Sequence, residues 1–189
     1  MTMRLANFLG RLNIPVLLSQ RDYRVGAEVG IHRAEFSLHL LLNWTGRLIC
    51  IDNWKAGYDP EDITSGSNRK HDYHCALANL QPYQERVTIL RLDSLQAAEI
   101  TKDGFLDFVY VDACHQYKSV KEDLHAWYPK IRSGGILFGH DFLCPGEVKG
   151  GWGRYIQPAV LEFAEEKGLD VWLISEGLSL PWSYYMEVP

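Results

Sequence analysis

The chain has 189 residues, a length suited to one domain, and no internal repeat or low-complexity linker divides it. Its formal net charge of −5 leaves out the basic footprint of a nucleic-acid binder, and the local Arg69-Lys70-His71 cluster reads as a solvated helix start. No segment approaches about 18 uninterrupted apolar residues, which argues against a membrane helix.

Residues 1–22 read as an N-terminal helical extension; Pro15 and the flanking arginines argue against a signal peptide. A strand over 25–30 leads into a helix over 32–44, apolar at Leu38, Leu41, Leu42 and Trp44, and Gly46 ends it. Strand 47–52 (RLICID) follows, then a polar loop from Lys55 to Ser67. Helix 68–80 precedes strand 86–92, a short helix over 95–100 and strand 105–112. Ser119-Val-Lys-Glu122 reads as a capping box, opening a helix with Val120, Leu124, Trp127 and Ile131 on one stripe. Gly134 and Gly135 end a turn before strand 136–140. A glycine-rich segment from Gly146 to Tyr155, with Trp152, reads as a lid ahead of helix 154–167. Strands over 169–174 and 183–188 close the chain, the last carrying Trp182, Tyr184 and Tyr185.

Continuously apolar strands separated by helices mean a doubly wound, mostly parallel α/β sheet covered on both faces. The turn from Ser175 to Ser179 is too short for a crossover, so the last strand should be antiparallel. Cys50, Cys75, Cys114 and Cys144 are widely spaced and read as reduced thiols of a cytoplasmic protein.

Acidic residues end four of the strands: Asp52, Asp93, Asp112 and Asp141. Ligands of such sheets bind at the carboxyl edge, where strand order reverses. Any single aspartate there caps the next helix as readily as it binds a ligand. Together they point to a ligand. Asp52 lies 22 residues past Gly30 (52 − 30), the spacing of an acid that accepts from both ribose hydroxyls. The turn at VGAEVGIHRA has only Gly26 and Gly30, too few for a pyrophosphate cradle. A ligand with ribose and adenine but no phosphate fits, and S-adenosylmethionine is one. Glu28 would face its ammonium. The amides near Gly30 and the following helix start, with Arg33, would take its carboxylate. Trp54 would stack on adenine, with Asp93 and Ser94 at its amino edge. Asp112, His115, His140 and Asp141 offer a base for an alcohol acceptor and carboxylates for a hard cation. His71, His74 and Cys75 lack a matching ligand pair elsewhere and do not read as a zinc site.

At these residues the chain resembles the class I S-adenosylmethionine-dependent methyltransferases, in particular a small single-domain O-methyltransferase-like branch. The specific block is VDACHQYKSVKEDLHAWYPKIRSGGILFGHDF, residues 111–142, against VDxxHxYxxVxxDLxxWxPxLxxGGxxxGHD. AEVG stands at the family's first motif and ICIDNW at its second. Ala34 replaces a usual second glycine, and Cys114 stands where an acid is common. The resemblance implies a seven-stranded sheet with the last strand antiparallel. It implies cofactor contacts from Glu28, Gly30, Asp52 and Asp93, to which the reading of the residues adds Asn53, Trp54, Ser94 and Asp112. It also implies Mg2+ at Asp112, His140 and Asp141, with Asp112, His115 and His140 as the catalytic group. The partners would be a small-molecule methyl acceptor, with no nucleic acid and no membrane, and a homo-oligomer is allowed. Two alternatives stay open. Asp52 also suits NAD, although the glycine fingerprint of a dinucleotide site is absent, and a non-catalytic module would keep the pocket without turnover.

Overall fold

Runs such as LDFVYV and VTIL carry the β-branched and aromatic residues that fill both sides of a pleated surface, and they form strands. The computed structural model describes residues 1–8, 10–56, 68–142, 153–176 and 182–189; residues 146–152 of the expected lid and residues 57–67 of the polar loop lie outside these. The strands are β1 (Met3–Leu5), β2 (Val25–Val29), β3 (Arg47–Ile51), β4 (Val87–Leu90), β5 (Leu106–Val111), β6 (Ile131–Phe142), β7 (Val171–Ile174) and β8 (Trp182–Glu187). The helices are α1 (Ile14–Gln20), α2 (Glu35–Asn43), α3 (Arg69–Leu80), α4 (Ser94–Ile100), α5 (Tyr117–Trp127) and α6 (Gly153–Lys167).

One sheet runs in the order β1-β7-β8-β6-β5-β2-β3-β4. All pairs are parallel except those of β8, which runs antiparallel to both β6 and β7. The doubly wound α/β class and the reversed last strand agree with the sequence. The strand count does not: β1 adds an eighth to the expected seven, pairing with Val171–Leu173. The first residues are therefore not wholly helical. Three exposed edge residues carry too little periodicity to announce a strand whose partner is far along the chain.

The core splits by sheet face. Val109 and Val111 of β5 pack with Val120, Leu124 and Trp127 of α5 and Val160 and Phe163 of α6. Phe108 and Tyr110, on the opposite face, pack with Leu18 of α1, Leu40 and Leu41 of α2 and Ala76 of α3. Alternation along a strand buried on both sides explains why no polar face was visible in the sequence.

Three boundaries differ from expectation. Ser119 does not cap α5, which starts at Tyr117 after Gln116. Val120 already donates to the Gln116 carbonyl at 2.9 Å, and the Tyr117 hydroxyl bonds Glu162 of α6, drawing the first turn back. The end of α2 is satisfied by Arg86, whose Nη1 and Nη2 donate to the carbonyls of Trp44 and Leu41 at 2.7 Å each, with Gly46 beyond the helix. Finally, β6 begins at Ile131 rather than after the glycines, because Gly134 and Gly135 both bond the backbone of Val188.

Between α4 and α5 lies a buried polar triad. Ser94 Oγ donates to Asp123 and accepts from Trp127 Nε1 at 2.9 Å. Burial pushes the Asp123 carboxyl up to about 7, against the lowering effect of Ser94. An acid raised in the folded chain costs stability as pH rises, since the unfolded chain ionises first. The window runs from about pH 4, the unfolded value, to about 7. Asp123→Asn keeps an acceptor for Ser94 but cannot ionise. The fall in thermal midpoint across this window should be smaller in the variant than in the parent. An unchanged slope would show that Asp123 is charged in the folded chain throughout.

Candidate active site

The parallel strands β3, β4, β5 and β6 bring Asp52, Asp93, Asp112 and Asp141 to one carboxyl edge. Strand order reverses between β2 and β5, and the two sides of that point carry different chemistry.

On the β2 side, Gly30 has φ +90°, and a Cβ there would lie 2.0 Å from the Asp112 carbonyl oxygen. The glycine is required because the ends of β2 and β5 meet at this point. The turn after it is bound to β3 throughout. The amides of Gly30 and Ile31 donate to the Ile51 carbonyl at 2.8 and 3.3 Å, and His32 donates to Asp52 Oδ2 at 2.8 Å. Ala34 donates to the Ile31 carbonyl at 2.5 Å. His32 and Ala34 both have left-handed backbone, φ +49° and +64°. From α3, the fully buried Asp72 takes Arg33 Nε at 2.7 Å and lies 3.4 Å from His32 Nε2.

This geometry alters several expected roles. The amides of Gly30, Ile31, His32 and Ala34 are engaged within the fold, and Arg33 Nε is held by Asp72. Trp54 is 4% exposed, its Nε1 on the His32 carbonyl at 2.8 Å and its ring edge-on to Tyr73. Its face is covered and does not offer a stacking surface. Ser94 points away into the Asp123–Trp127 triad. Asp52 stays at the rim: Oδ1 and Oδ2 each accept one backbone N–H, from Trp54 and His32, and burial raises its pKa despite them. A carboxylate has about four acceptor positions, so about two remain.

Asp93 caps α4 in a capping box with Gln96. It also accepts from Asn53 Nδ2 at 2.7 Å and from Lys55 Nζ at 2.6 Å, and Lys55 followed by Asn53 lowers its pKa. Asn53, Lys55, Arg91, Leu92, Asp93 and Gln96 line a cavity of about 210 Å³.

Glu28 lies one residue inside β2, 2% exposed, with Ser37 Oγ donating to it at 2.7 Å. Burial pushes its carboxyl up to about 8. Ser37, an isolated hydroxyl on the buried face of α2, was the sequence signal for a buried acceptor nearby and was missed. Arg11 was missed as well, since nothing local ties residue 11 to a strand a hundred residues on. Its Nη1 lies 3.5 Å from Asp112 Oδ2, and its guanidinium lies over the Phe36 ring, 5.3 Å from the centroid.

On the β5 side, Asp141 takes φ +58° and turns toward His115, whose Nε2 is 2.9 Å from Asp141 Oδ2 and 3.8 Å from Asp112 Oδ1. Burial alone would lower the His115 imidazole; the two carboxylates outweigh it and push it up to about 11. The histidines hold Asp141 below the usual carboxylate range in spite of its burial. One ligand atom each from Asp112, His115 and Asp141 lies within 4.8 Å of the others. His140, expected among the metal ligands, stands beside this set, with Nδ1 3.3 Å from Asp141 Oδ1 and 3.9 Å from Asp112 Oδ2. His115 takes its place because the left-handed turn at Asp141 aims the carboxylate across to the loop after β5.

Comparison with known proteins follows this geometry. The sequence model of a family described as Methyltransferase domain matches residues 25–142. The uncharacterized protein y4gI of Sinorhizobium fredii is 28% identical over 141 residues, covering 68% of this chain and 14% of its own length. The chain thus spans about a seventh of that relative. An O-methyltransferase from Bacillus cereus in complex with SAH has a TM-score of 0.68 at 16% identity, over 93% of this chain and 79% of its own. Cofactor-bound Rv0187 from MTB has a TM-score of 0.72 at 14% identity, over 97% and 83%. A precorrin-6y C5,15-methyltransferase from Geobacter metallireducens has 0.62 at 13%, over 97% and 93%. At these identities the structural likeness shows the fold.

The strain at Ala34 is directly testable. A left-handed alanine is disfavoured where glycine is not. Ala34→Gly should raise stability by roughly 0.5–1 kcal/mol in urea denaturation. A loss of stability would mean that the buried methyl contributes more packing than its backbone costs.

Proposed function

The chain belongs to the methyltransferase-domain family of class I S-adenosylmethionine-dependent enzymes, and from that premise we propose that it methylates oxygen of a small hydroxylated acceptor, a sugar or a phenolic compound. The observation that supports this reading is the rim itself: a half-buried carboxylate at Asp52, a cavity beside Asn53 and Asp93, and a paired acid–histidine cluster on the far side of the switch point.

When bound, the cofactor supplies an electrophilic methyl for in-line displacement. The chain does the rest. Asp52 holds the ribose through its two remaining acceptor positions. The cavity lined by Asn53, Lys55 and Asp93 takes the adenine through polar edges, since Trp54 is covered. Glu28, raised to about 8 by burial, is protonated near neutral pH in the empty site; beside the cofactor ammonium its pKa would fall, and its proton would leave to solvent. With no cation bound, His115, raised to about 11, pairs as an imidazolium with Asp141 and is not the base. His140, with Nδ1 held toward Asp141, is then the base that takes the acceptor proton at Nε2.

The donor set fits a divalent cation. Asp112, His115 and Asp141 would hold it, and it would lower the acceptor's pKa. An imidazole beside two carboxylates suits Mn2+ better than the expected Mg2+. Cys50, Cys75 and Cys114 form no disulfide, which supports a reducing, cytoplasmic setting. Among the described residues no helix is long and apolar enough to cross a membrane.

Asp52→Ala should weaken S-adenosylmethionine binding by about 1–3 kcal/mol in calorimetric titration, the range for lost charged hydrogen bonds. An unchanged dissociation constant removes the ribose assignment, and wild-type binding of NAD in its place removes the methyl-transfer reading. For the cation, Mn2+ should raise the thermal midpoint of the wild type more at higher pH, because the His115 proton must leave first, and should leave Asp141→Asn unmoved. A wild type indifferent to both Mn2+ and chelator, in melting and in rate, has no such site.

A further inference from the structure

The amino-acid end of the proposed cofactor carries an ammonium and a carboxylate on one carbon. Glu28 accounts for the first. Most of the donors expected for the carboxylate at the turn are engaged within the fold. The amides of Gly30, Ile31, His32 and Ala34 all donate within the fold, and Arg33 Nε is on the buried Asp72. What is left of the turn is the start of α2, and that first turn carries its own carboxylate, Glu35. A second acid there competes for the same helix end.

One cation does reach the place. The segment before α1 is tied down at several points. Gly10 donates to the Ser175 carbonyl at 2.8 Å, the Arg11 amide donates to Glu176 Oε1 at 2.7 Å, and His39 Nε2 meets the Leu12 carbonyl at 2.8 Å. These contacts set the Arg11 side chain over the ends of β5 and α2. There it meets Tyr110, Phe36 and Asp112, and it is close enough to Glu28 to bear on that group's charge. Its side chain is 32% exposed. The Asp112 contact, at 3.5 Å, is too long to engage the fork firmly. A guanidinium has five donors in a planar fork that matches a carboxylate.

We propose that Arg11 is the carboxylate anchor of the cofactor site, binding the methionine end of S-adenosylmethionine while Glu28 receives its ammonium. The inference rests on the methyltransferase reading above. It makes the N-terminal segment, which lies outside the matched family region of residues 25–142, part of the binding site. It also separates the free energy of the two ligand charges between elements far apart in sequence.

The test titrates wild type, Arg11→Gln and Arg11→Lys with S-adenosylmethionine and with its decarboxylated analogue, which keeps sulfonium, adenosine and amine. Arg11→Gln should weaken the carboxylated ligand by about 10- to 100-fold and the analogue by less than about threefold, with Arg11→Lys between, as charge without the fork retains part of the contact. Thermal melting confirms that each variant is folded. Equal losses for the two ligands would show that Arg11 only braces Asp112, and no loss for either would remove it from the site; both outcomes overturn the proposal while leaving methyl transfer standing. A wild type that binds neither ligand overturns the methyltransferase reading and this inference with it.

Discussion

The contact between Gly30 and the Asp112 carbonyl governs the carboxyl edge. It lets β2 and β5 end against one another, with no room for a Cβ between them. From that crossing the chain must turn back toward β3 within a few residues, and it does so by giving its amides to Ile51, to Asp52 and to its own Ile31 carbonyl. A turn that donates inward cannot cradle a diphosphate, which needs several free amides aimed outward. The scarcity of glycine in the sequence and the direction of the amides in the fold thus express the same constraint. The ligand of this edge is one that needs hydrogen-bond acceptors for its hydroxyls and separate side chains for its charges.

That division explains the number of acids at the rim. A buried carboxylate is costly unless it is paired, hydrogen-bonded or protonated, and each solution occurs here. Asp72 is paired with Arg33 and backed by His32. Asp93 is bridged by Lys55 and Asn53. Asp141 is neutralised by His115. Glu28 alone has a hydroxyl as its hydrogen-bond donor, and burial keeps it protonated near neutral pH. It is the acid in this group whose charge is waiting for a partner from outside.

The layered architecture was legible because continuous apolar runs alternate with helical stripes, and the block from Val111 to Phe142 places Asp112, His115, His140 and Asp141 on two neighbouring strand ends. Direction was less legible. Asp52 reads as a rim acid and is one, but Trp54, two residues on, folds inward once its backbone turns to φ +48° and its indole finds the His32 carbonyl. Ser94 follows Asp93 in sequence, yet on the first turn of α4 adjacent side chains diverge, and it serves the Asp123–Trp127 triad. His115 rather than His140 joins Asp112 and Asp141 in one cluster because of one left-handed residue, Asp141, which no pattern of residue types announces. Arg11 and Asp72 arrive from elements that pack late against the rim, and local spacing is silent about them.

Among the described residues, five other than glycine have left-handed backbone: Asp22, His32, Ala34, Trp54 and Asp141. All but Asp22 stand at the carboxyl edge. Such conformations cost on the order of 1–3 kcal/mol each and persist where surrounding contacts over-determine them. The contacts can be named. His32 is held by Asp52 on its amide and by Asp72 beside its ring, Trp54 by Asp52 and by the His32 carbonyl, and Asp141 by His115. Asp52 therefore holds two strained residues while keeping acceptor positions for a ligand. Among the described residues, this strain collects where a ligand would sit. The stability of the core supports a rim that would not hold its shape alone, and the acids that hold it are among those proposed to read the ligand.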